Sequence, residues 1–386
     1  MNGVVMMVNE FPPLPVGGAE MQAERLSEYF ARSGWNVWVV TRLAEGLPER
    51  EERNGFRIVR PKTFGFGKLR TVSFMFSALG YLLANRSNYQ ILHAHLAFGP
   101  AFIAVLLGRF FGKKVIVKLG GSNAIGDVQV SMKTWRGRLR FWAIRRWADV
   151  VVALTDVMRA EALQIGVPPE RVKILNNGID ASAYEFDAAA RLAAKQQLGL
   201  QENTVALFVG RLDPVKSLPT VIEAMKSTRQ RSPKLRLVIV GDGPERGALE
   251  EQAKSLGVED VVQFAGSQKN VNLYLKAADL FILPSFTEGI SNALLEAMAS
   301  GVACLATPVG GNKEVLDQGK YGVMVPVANV EAWADALIEY GNDETKRKIV
   351  GQKGRERILN AYDFRVVGAQ YEQMYNNLLN EKTRNG

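Results

Sequence analysis

One cysteine and two histidines are all that this chain of 386 residues holds of the side chains that most often ligate transition metals. Cys304 has no internal partner, so a disulfide framework and a thiol-rich metal site are both excluded. A reducing, cytoplasmic compartment is the expectation that follows. Low-complexity tracts are missing as well, and with 47% hydrophobic and 23% charged residues the composition is that of an ordinary globular protein, not a disordered one. Long apolar runs are also absent. The uncharged apolar stretch Val72 to Ala84 has 13 residues, short of the roughly 20 that cross a bilayer as a helix. The run Val4 to Val8 is followed at once by Asn9 and Glu10, with no basic leader or small-residue cleavage site. It reads as a first strand, not a signal peptide.

What is present is an alternation of short β-branched runs with longer helical patterns, the signature of open parallel sheets with crossover helices. VVMMVN, NVWVV, ILHAH, KVIVKL and DVVVAL are the candidate strands of the first half; TVALFVG, LRLVIVG, VVQFAG, DLFILPS and VACLAT are those of the second. A chain of this length exceeds what one core usually sustains. Two doubly wound, Rossmann-like α/β domains are therefore expected, each binding ligand at the carboxyl ends of its strands, with any shared ligand in an interdomain cleft. The boundary falls where RVKIL gives way to NNGID, which sets domains at residues 1–178 and 179–363. Residues 364–386 form a terminal helix expected to pack back toward the interdomain region, although its spacing does not say against which domain. Asn177-Gly178 on its own also suits a tight turn.

Charge is distributed unevenly. Residues 1–180 hold 24 Lys+Arg against 14 Asp+Glu, a balance of +10, and residues 181–386 hold 24 against 25. The first half is thus suited to an anionic partner such as a membrane surface, a phosphate-bearing substrate or nucleic acid, or else it carries a well-solvated basic surface. Ser131 to Trp147 concentrates six Lys or Arg, three Trp and one Phe without an acid. Basic residues interleaved with tryptophan suit a lipid headgroup interface; a solvated helix whose tryptophans pack inward accounts for the same composition.

Four stretches carry chemistry. After the first strand, FPPLPVGGAE brings Gly17 and Gly18 to the start of an amphipathic helix, where backbone can approach a ligand and free N–H groups face an anion, although a plain loop-to-helix turn uses the same residues. His93 and His95 share one side of a predicted strand. A zinc site would need further ligands, which the surrounding sequence does not offer, and His95, nearer the strand's carboxyl end, is the better ligand-facing candidate, with His93 a core histidine. In VALFVGRLDPVKSL a strand ends at Gly210, and Arg211 and Lys216 follow on the loop, placed to neutralise a diphosphate on binding and as charge develops on a leaving group. No Asp-any-Asp pattern, with which a divalent cation is often held on a diphosphate, occurs anywhere. Finally, PSFTEGISNALLEAMASG runs from a strand into a loop with Glu288 and Gly289. Ser291 or Asn292 then caps a helix bearing Glu296. Backbone N–H groups for phosphate flanked by carboxylates for sugar hydroxyls suit a sugar nucleotide; by periodicity alone Glu296 could equally face solvent.

The Glu288 and Glu296 pair in this setting resembles the glutamate motif of the retaining glycosyltransferase family 4, of GT-B fold. GGAE, HAH, NNGID, FVGRLDPVK, GDGPE and GGNKE occur in that family's order along most of the chain. The resemblance implies a retaining, metal-independent transferase that moves a sugar from a UDP- or GDP-linked donor to a hydroxyl acceptor, such as a lipid-linked or cell-surface glycan precursor in polysaccharide biosynthesis. No cofactor or metal is expected beyond the donor substrate. It implies that Glu288 contacts the donor sugar, that Gly289, Ile290, Ser291 and Asn292 offer backbone amides to the distal phosphate and sugar, and that Glu296 holds the ribose. Arg211 and Lys216, beside Gly210, would bind the diphosphate, Gly17 and Gly18 would border the acceptor and phosphate side, and His95 would lie near the donor sugar. A nucleotide-sugar epimerase or another GT-B enzyme such as a phosphorylase shares this architecture. A dehydrogenase is disfavoured because neither half has the full Gly-x-Gly-x-x-Gly turn with its spaced acid. Nucleic acid, suggested by the basic half alone, is not an expected partner. Peripheral association with the inner face of an anionic membrane is.

Overall fold

The computed structural model describes residues 2–14, 17–121 and 126–384, without the side chains of Lys68 and of residues 382–384. It divides into two compact units, one of residues 1–178 with 364–386 and one of residues 179–363.

The first unit runs β1 (Gly3–Met7), α1 (Gly18–Arg32), β2 (Asn36–Val40), β3 (Arg50–Arg53), β4 (Phe56–Val59), α2 (Gly67–Ala84), β5 (Ile91–His95), α3 (Gly99–Phe111), β6 (Lys114–Lys118), α4 (Asp127–Met132), α5 (Trp135–Trp147), β7 (Val150–Ala153), α6 (Asp156–Gln164) and β8 (Val172–Ile174). Among the described residues these strands form one sheet in the order β3-β4-β2-β1-β5-β6-β7-β8. β1, β5 and β7 are buried along their whole length, which is why they read as continuous apolar runs and not as alternating patterns. The five strands expected in this half are β1, β2, β5, β6 and β7. The β3–β4 hairpin is an addition. It is antiparallel, and it turns through Asn54 (φ 49°) and Gly55 (φ 82°), a two-residue turn with both central residues left-handed. Its first strand, Arg-Glu-Glu-Arg, is charged at every position and so lacks the apolar run that marks the other strands.

Asn177-Gly178 is not a turn. Gly178 donates its N–H to Gln22 Oε1 (2.9 Å), and its carbonyl accepts from Gln22 Nε2 (2.8 Å) and Arg25 (3.2 Å), which ties the end of this segment to α1.

The second unit runs α7 (Ala188–Gln197), β9 (Thr204–Val209), α8 (Leu218–Arg231), β10 (Leu235–Val240), α9 (Arg246–Ser255), β11 (Val262–Gly266), α10 (Val271–Ala277), β12 (Leu280–Leu283), α11 (Asn292–Ala299), β13 (Ala303–Ala306), α12 (Gly311–Val315), β14 (Val323–Met324), α13 (Val330–Asn342) and α14 (Glu344–Ala361). Its described strands are all parallel, in the order β11-β10-β9-β12-β13-β14. This is the doubly wound Rossmann order, in which the winding reverses between β9 and β12; in the first unit it reverses between β1 and β5.

The last helix, α15 (Phe364–Arg384), belongs to the first unit. Val367, Tyr371, Tyr375 and Leu378, at helical spacing, enter a core with Val4, Met6, Phe30 and Trp35. The Tyr375 ring stacks on Phe30 at 4.5 Å.

Candidate active site

In the second unit the expected residues gather where the winding reverses. The loop after β9 carries Gly210, Arg211 and Lys216, and the loop after β12 carries Glu288 and Gly289. Lys216 Nζ lies 2.6 Å from Glu288 Oε1, and the same oxygen accepts from Ser285 Oγ at 2.6 Å. The Phe286 amide, which donates to the Val215 carbonyl at 2.8 Å, joins the two loops a second time. Both side chains of the ion pair are largely buried, so the attraction is only weakly screened by solvent. Arg211 is held differently: its side chain is 74% exposed, and its nearest carboxylate, Asp213, is 3.8 Å away.

Glycines let the loops pack backbone to backbone. Gly241, at φ 140°, lies where a Cβ would meet the Gly210 carbonyl oxygen at 1.8 Å, and Gly243 where one would meet that of Leu212 at 2.2 Å. On the other side Gly310, at φ 47° and ψ −133°, lies against the Glu288 carbonyl, and Gly311 donates its N–H to the Gly289 carbonyl at 2.8 Å. Thr307 Oγ1 donates to the Ser285 carbonyl (2.6 Å), and Asn312 Nδ2 to that of Thr307 (3.1 Å). The Glu288 loop is thus held from both flanks. Of these supports only the motifs GDGPE and GGNKE were visible in the sequence, with nothing to say what their glycines touch.

Ser291 is the N-cap of α11: its side chain accepts from the Leu294 amide, so the helix starts at Asn292, directly after it. Glu296 is half-buried one turn in. Three buried polar atoms around these loops, Thr287 Oγ1, Asp213 Oδ1 and Asn312 Oδ1, have no hydrogen-bond partner among the described residues. Buried polar atoms are seldom left without a partner.

Gly17, Gly18 and His95 belong to the first unit. Gly17 is the extended N-cap of α1 without a side-chain cap, and Gly18 opens the helix. His93 and His95 do not divide into a core residue and an exposed one. Both are fully buried, their rings stack at 4.3 Å, and burial beside Lys118 holds both well below the usual histidine range, so they are neutral. His93 Nδ1 meets Tyr375 Oη at 2.6 Å, whereas neither nitrogen of His95 has a partner among the described residues. Lys118, opposite His95 in register, is also buried; desolvation lowers it to about 7, and it donates to Asn177 Oδ1 at 2.9 Å.

A residue unnoticed in the sequence, Asp127, fixes the carboxyl ends of β5 and β6. Its Oδ2 accepts from the Ala97 amide (2.8 Å) and the Gly120 amide (3.2 Å). Desolvation raises it from 3.8 to about 6, with those amides and Arg140 opposing. A carboxyl raised in the folded state destabilises fully above its folded value and not at all below its unfolded one. Asp127→Asn is therefore expected to be more stable than the parent above about pH 6, with the difference, on the order of 3 kcal/mol, vanishing as pH falls toward 3.8. Denaturant unfolding of both proteins across that range measures it. A difference that does not change with pH would show that Asp127 has an ordinary affinity for its proton.

Residues 191–357 match the family of glycosyl transferases group 1, and residues 16–183 match glycosyltransferase family 4. The chain is 28% identical over 373 residues to N-acetyl-alpha-D-glucosaminyl L-malate synthase of Bacillus anthracis, covering 95% of each protein. It is 27% identical over 385 residues to the GDP-mannose-dependent alpha-(1-6)-phosphatidylinositol monomannoside mannosyltransferase of Mycolicibacterium smegmatis, covering 96% of this chain and 97% of that one. Among solved structures, Anabaena HepE in complex with UDP-glucose superposes with a TM-score of 0.80 at 19% identity, covering 97% of this chain and 99% of that chain.

Proposed function

The chain belongs to the group 1 glycosyltransferases of family 4 and is a GT-B transferase that uses nucleotide-sugar donors; from that premise we propose that it transfers the sugar with retention and without a metal ion, from a UDP- or GDP-linked donor to a hydroxyl acceptor. What carries this reading is the ion pair of Lys216 and Glu288 at the β9/β12 reversal, beside the start of α11. Lys216 and Arg211 meet the diphosphate, the N–H groups of Gly289 to Asn292 take the distal phosphate, and Glu296 holds the ribose. Charge grows on the β-phosphate as the glycosidic bond breaks, and fixed cations already in place stabilise it without reorganising.

Glu288 is poorly suited to attack the anomeric carbon, because the ammonium of Lys216 and the hydroxyl of Ser285 both hold its Oε1. It is better suited to orient the sugar by accepting from a hydroxyl. The acceptor oxygen then attacks from the face the phosphate leaves, and its proton passes to the departing phosphate oxygen, so that rate comes from positioning and charge stabilisation. One relative is a phosphatidylinositol monomannoside mannosyltransferase, which supports a lipid-linked acceptor. No described helix is long and apolar enough to cross a membrane. An α-linked donor is expected to give an α-linked product in excess EDTA, read from proton coupling at the new anomeric carbon. A β product refutes retention, and activity lost to chelator and restored by magnesium refutes metal independence.

A further inference from the structure

Between Arg53 and Ala148 lie 96 residues with 17 Lys or Arg and a single acid, Asp127, and that acid is buried. No carboxylate in this stretch reaches the surface. Within it the structure exposes an unusual set of large apolar side chains. Phe64 and Phe66 flank Gly65 (φ 80°) at the turn into α2, with Gly67 (φ 53°) after them, and Phe66 is 93% exposed. Leu69, Val72 and Phe76, at i, i+3 and i+7, continue the stripe along α2, while Phe74, Ala78 and Leu82 face the core. Lone exposed apolar residues are ordinary, but five in one stripe mark a contact surface.

α2 and α5 both flank α3. The Met75 side chain lies at Gly99, at the start of α3, and the Arg140 guanidinium stands 5.5 Å over the ring of Phe98, its N-cap. On α5 the buried face is Gly137, Phe141 and Ile144. The tryptophans do not all pack inward: Trp135 is 66% exposed and Trp142 45%. Arg136, Arg138, Arg145 and Arg146 are exposed beside them. Arg140 is the exception among the cations of this helix, being turned inward to Ser131 Oγ (2.5 Å).

We propose that the apolar stripe of α2 and the basic, tryptophan-bearing face of α5 dock this unit on an anionic lipid surface, with the Phe64–Phe66 turn inserted among the acyl chains and the α5 arginines at the headgroups. Charge selects this occupant over a second copy of the chain, because a self-complementary contact would set this basic surface against itself. The surface shares no residue with Lys216, Glu288 or the start of α11, so donor binding followed by thermal shift tests the transferase independently.

The test is co-sedimentation of the full chain with vesicles of phosphatidylcholine alone and of equal parts phosphatidylcholine and phosphatidylglycerol. Binding is expected only to the mixed vesicles, weakening as salt is raised, with a blue shift of tryptophan emission. Neutralising Arg136, Arg138, Arg145 and Arg146 together to Gln is expected to lower partitioning by about 100-fold and to flatten its salt dependence. Phe66→Ser with Phe76→Ser is expected to lower it at least about tenfold while leaving the salt dependence in place. A wild-type chain that stays in the supernatant at low salt overturns the proposal. So does a dimer in sedimentation velocity that the phenylalanine changes abolish while vesicle binding is unaffected.

Discussion

Replacing Lys216 with alanine is expected to lower turnover by about 100-fold or more, the usual loss when a preorganised charge-stabilising donor is removed from an active site. Two effects combine. The departing diphosphate loses a cation whose position is already fixed in the free protein, and the Glu288 carboxylate, mostly buried, keeps only the Ser285 hydroxyl as a partner. Lys216→Arg is not expected to rescue, since a planar fork does not reproduce a compact ammonium 2.6 Å from one carboxylate oxygen. Glu288→Gln should cost a similar factor. The double variant should be little worse than the poorer single one, because the two act as a unit. Arg211→Ala should also lower turnover by about 100-fold or more, but its exposed guanidinium must be drawn onto the ligand, so more of its effect falls on KM for the donor. Steady-state kinetics with varied donor separates these outcomes. Additive losses for Lys216 and Glu288 would show that the pair does not work as one.

Gly310→Ala should be nearly as damaging, although no role in contacting substrate is assigned to Gly310. The added methyl would lie 1.9 Å from the Glu288 carbonyl oxygen, on a backbone at φ 47° and ψ −133° that side chains rarely adopt. Neither strain can relax without moving the Glu288–Gly289 segment, because Gly311 is bonded to the Gly289 carbonyl next door. A loss of stability of about 2–4 kcal/mol is expected from the backbone strain and the overlap together. Donor affinity should fall with it, since misplacing a reacting group by about 1 Å can cost about 100-fold. Thermal unfolding and donor titration would report both; a variant with unchanged KM would mean that the loop carries the methyl without displacing Glu288.

Much of this was legible in the sequence, and the reason is physical. Strands buried on both faces, such as Val4–Met7 and Leu280–Leu283, must be continuous apolar runs. Loops at their carboxyl ends must carry the ligand-binding side chains of a doubly wound sheet. Lys216 and Glu288 could therefore be picked out, but their contact could not, since 72 residues separate them and only the adjacency of β9 and β12 brings them together. The same limit hid the partners of Gly241 and Gly310. No apolar run announced the first strand of the β3–β4 hairpin, because all four of its residues are charged, though Asn54-Gly55 marked its turn. His93 and His95 were separated on their distance from the strand end, whereas the two-residue spacing puts both rings on one buried side, where α15 covers His93. The helical spacing of α15 was visible, but its docking against α1 and β1 depends on the chain's return.

That return governs how the protein can be made. Synthesis proceeds from the amino end, yet the first unit lacks Val367, Tyr371 and Tyr375 of its core until the final helix has emerged. At about 5–20 residues per second the ribosome needs roughly ten to forty seconds to add the intervening and final segments. Throughout that interval Phe30, Trp35 and Met6 lack the helix that covers them, while the second unit, contiguous in sequence, has every residue it needs before the last turn is translated. The unit begun first is thus the last to be completed, and a nascent chain stalled before residue 364 would expose apolar surface of a kind chaperones bind.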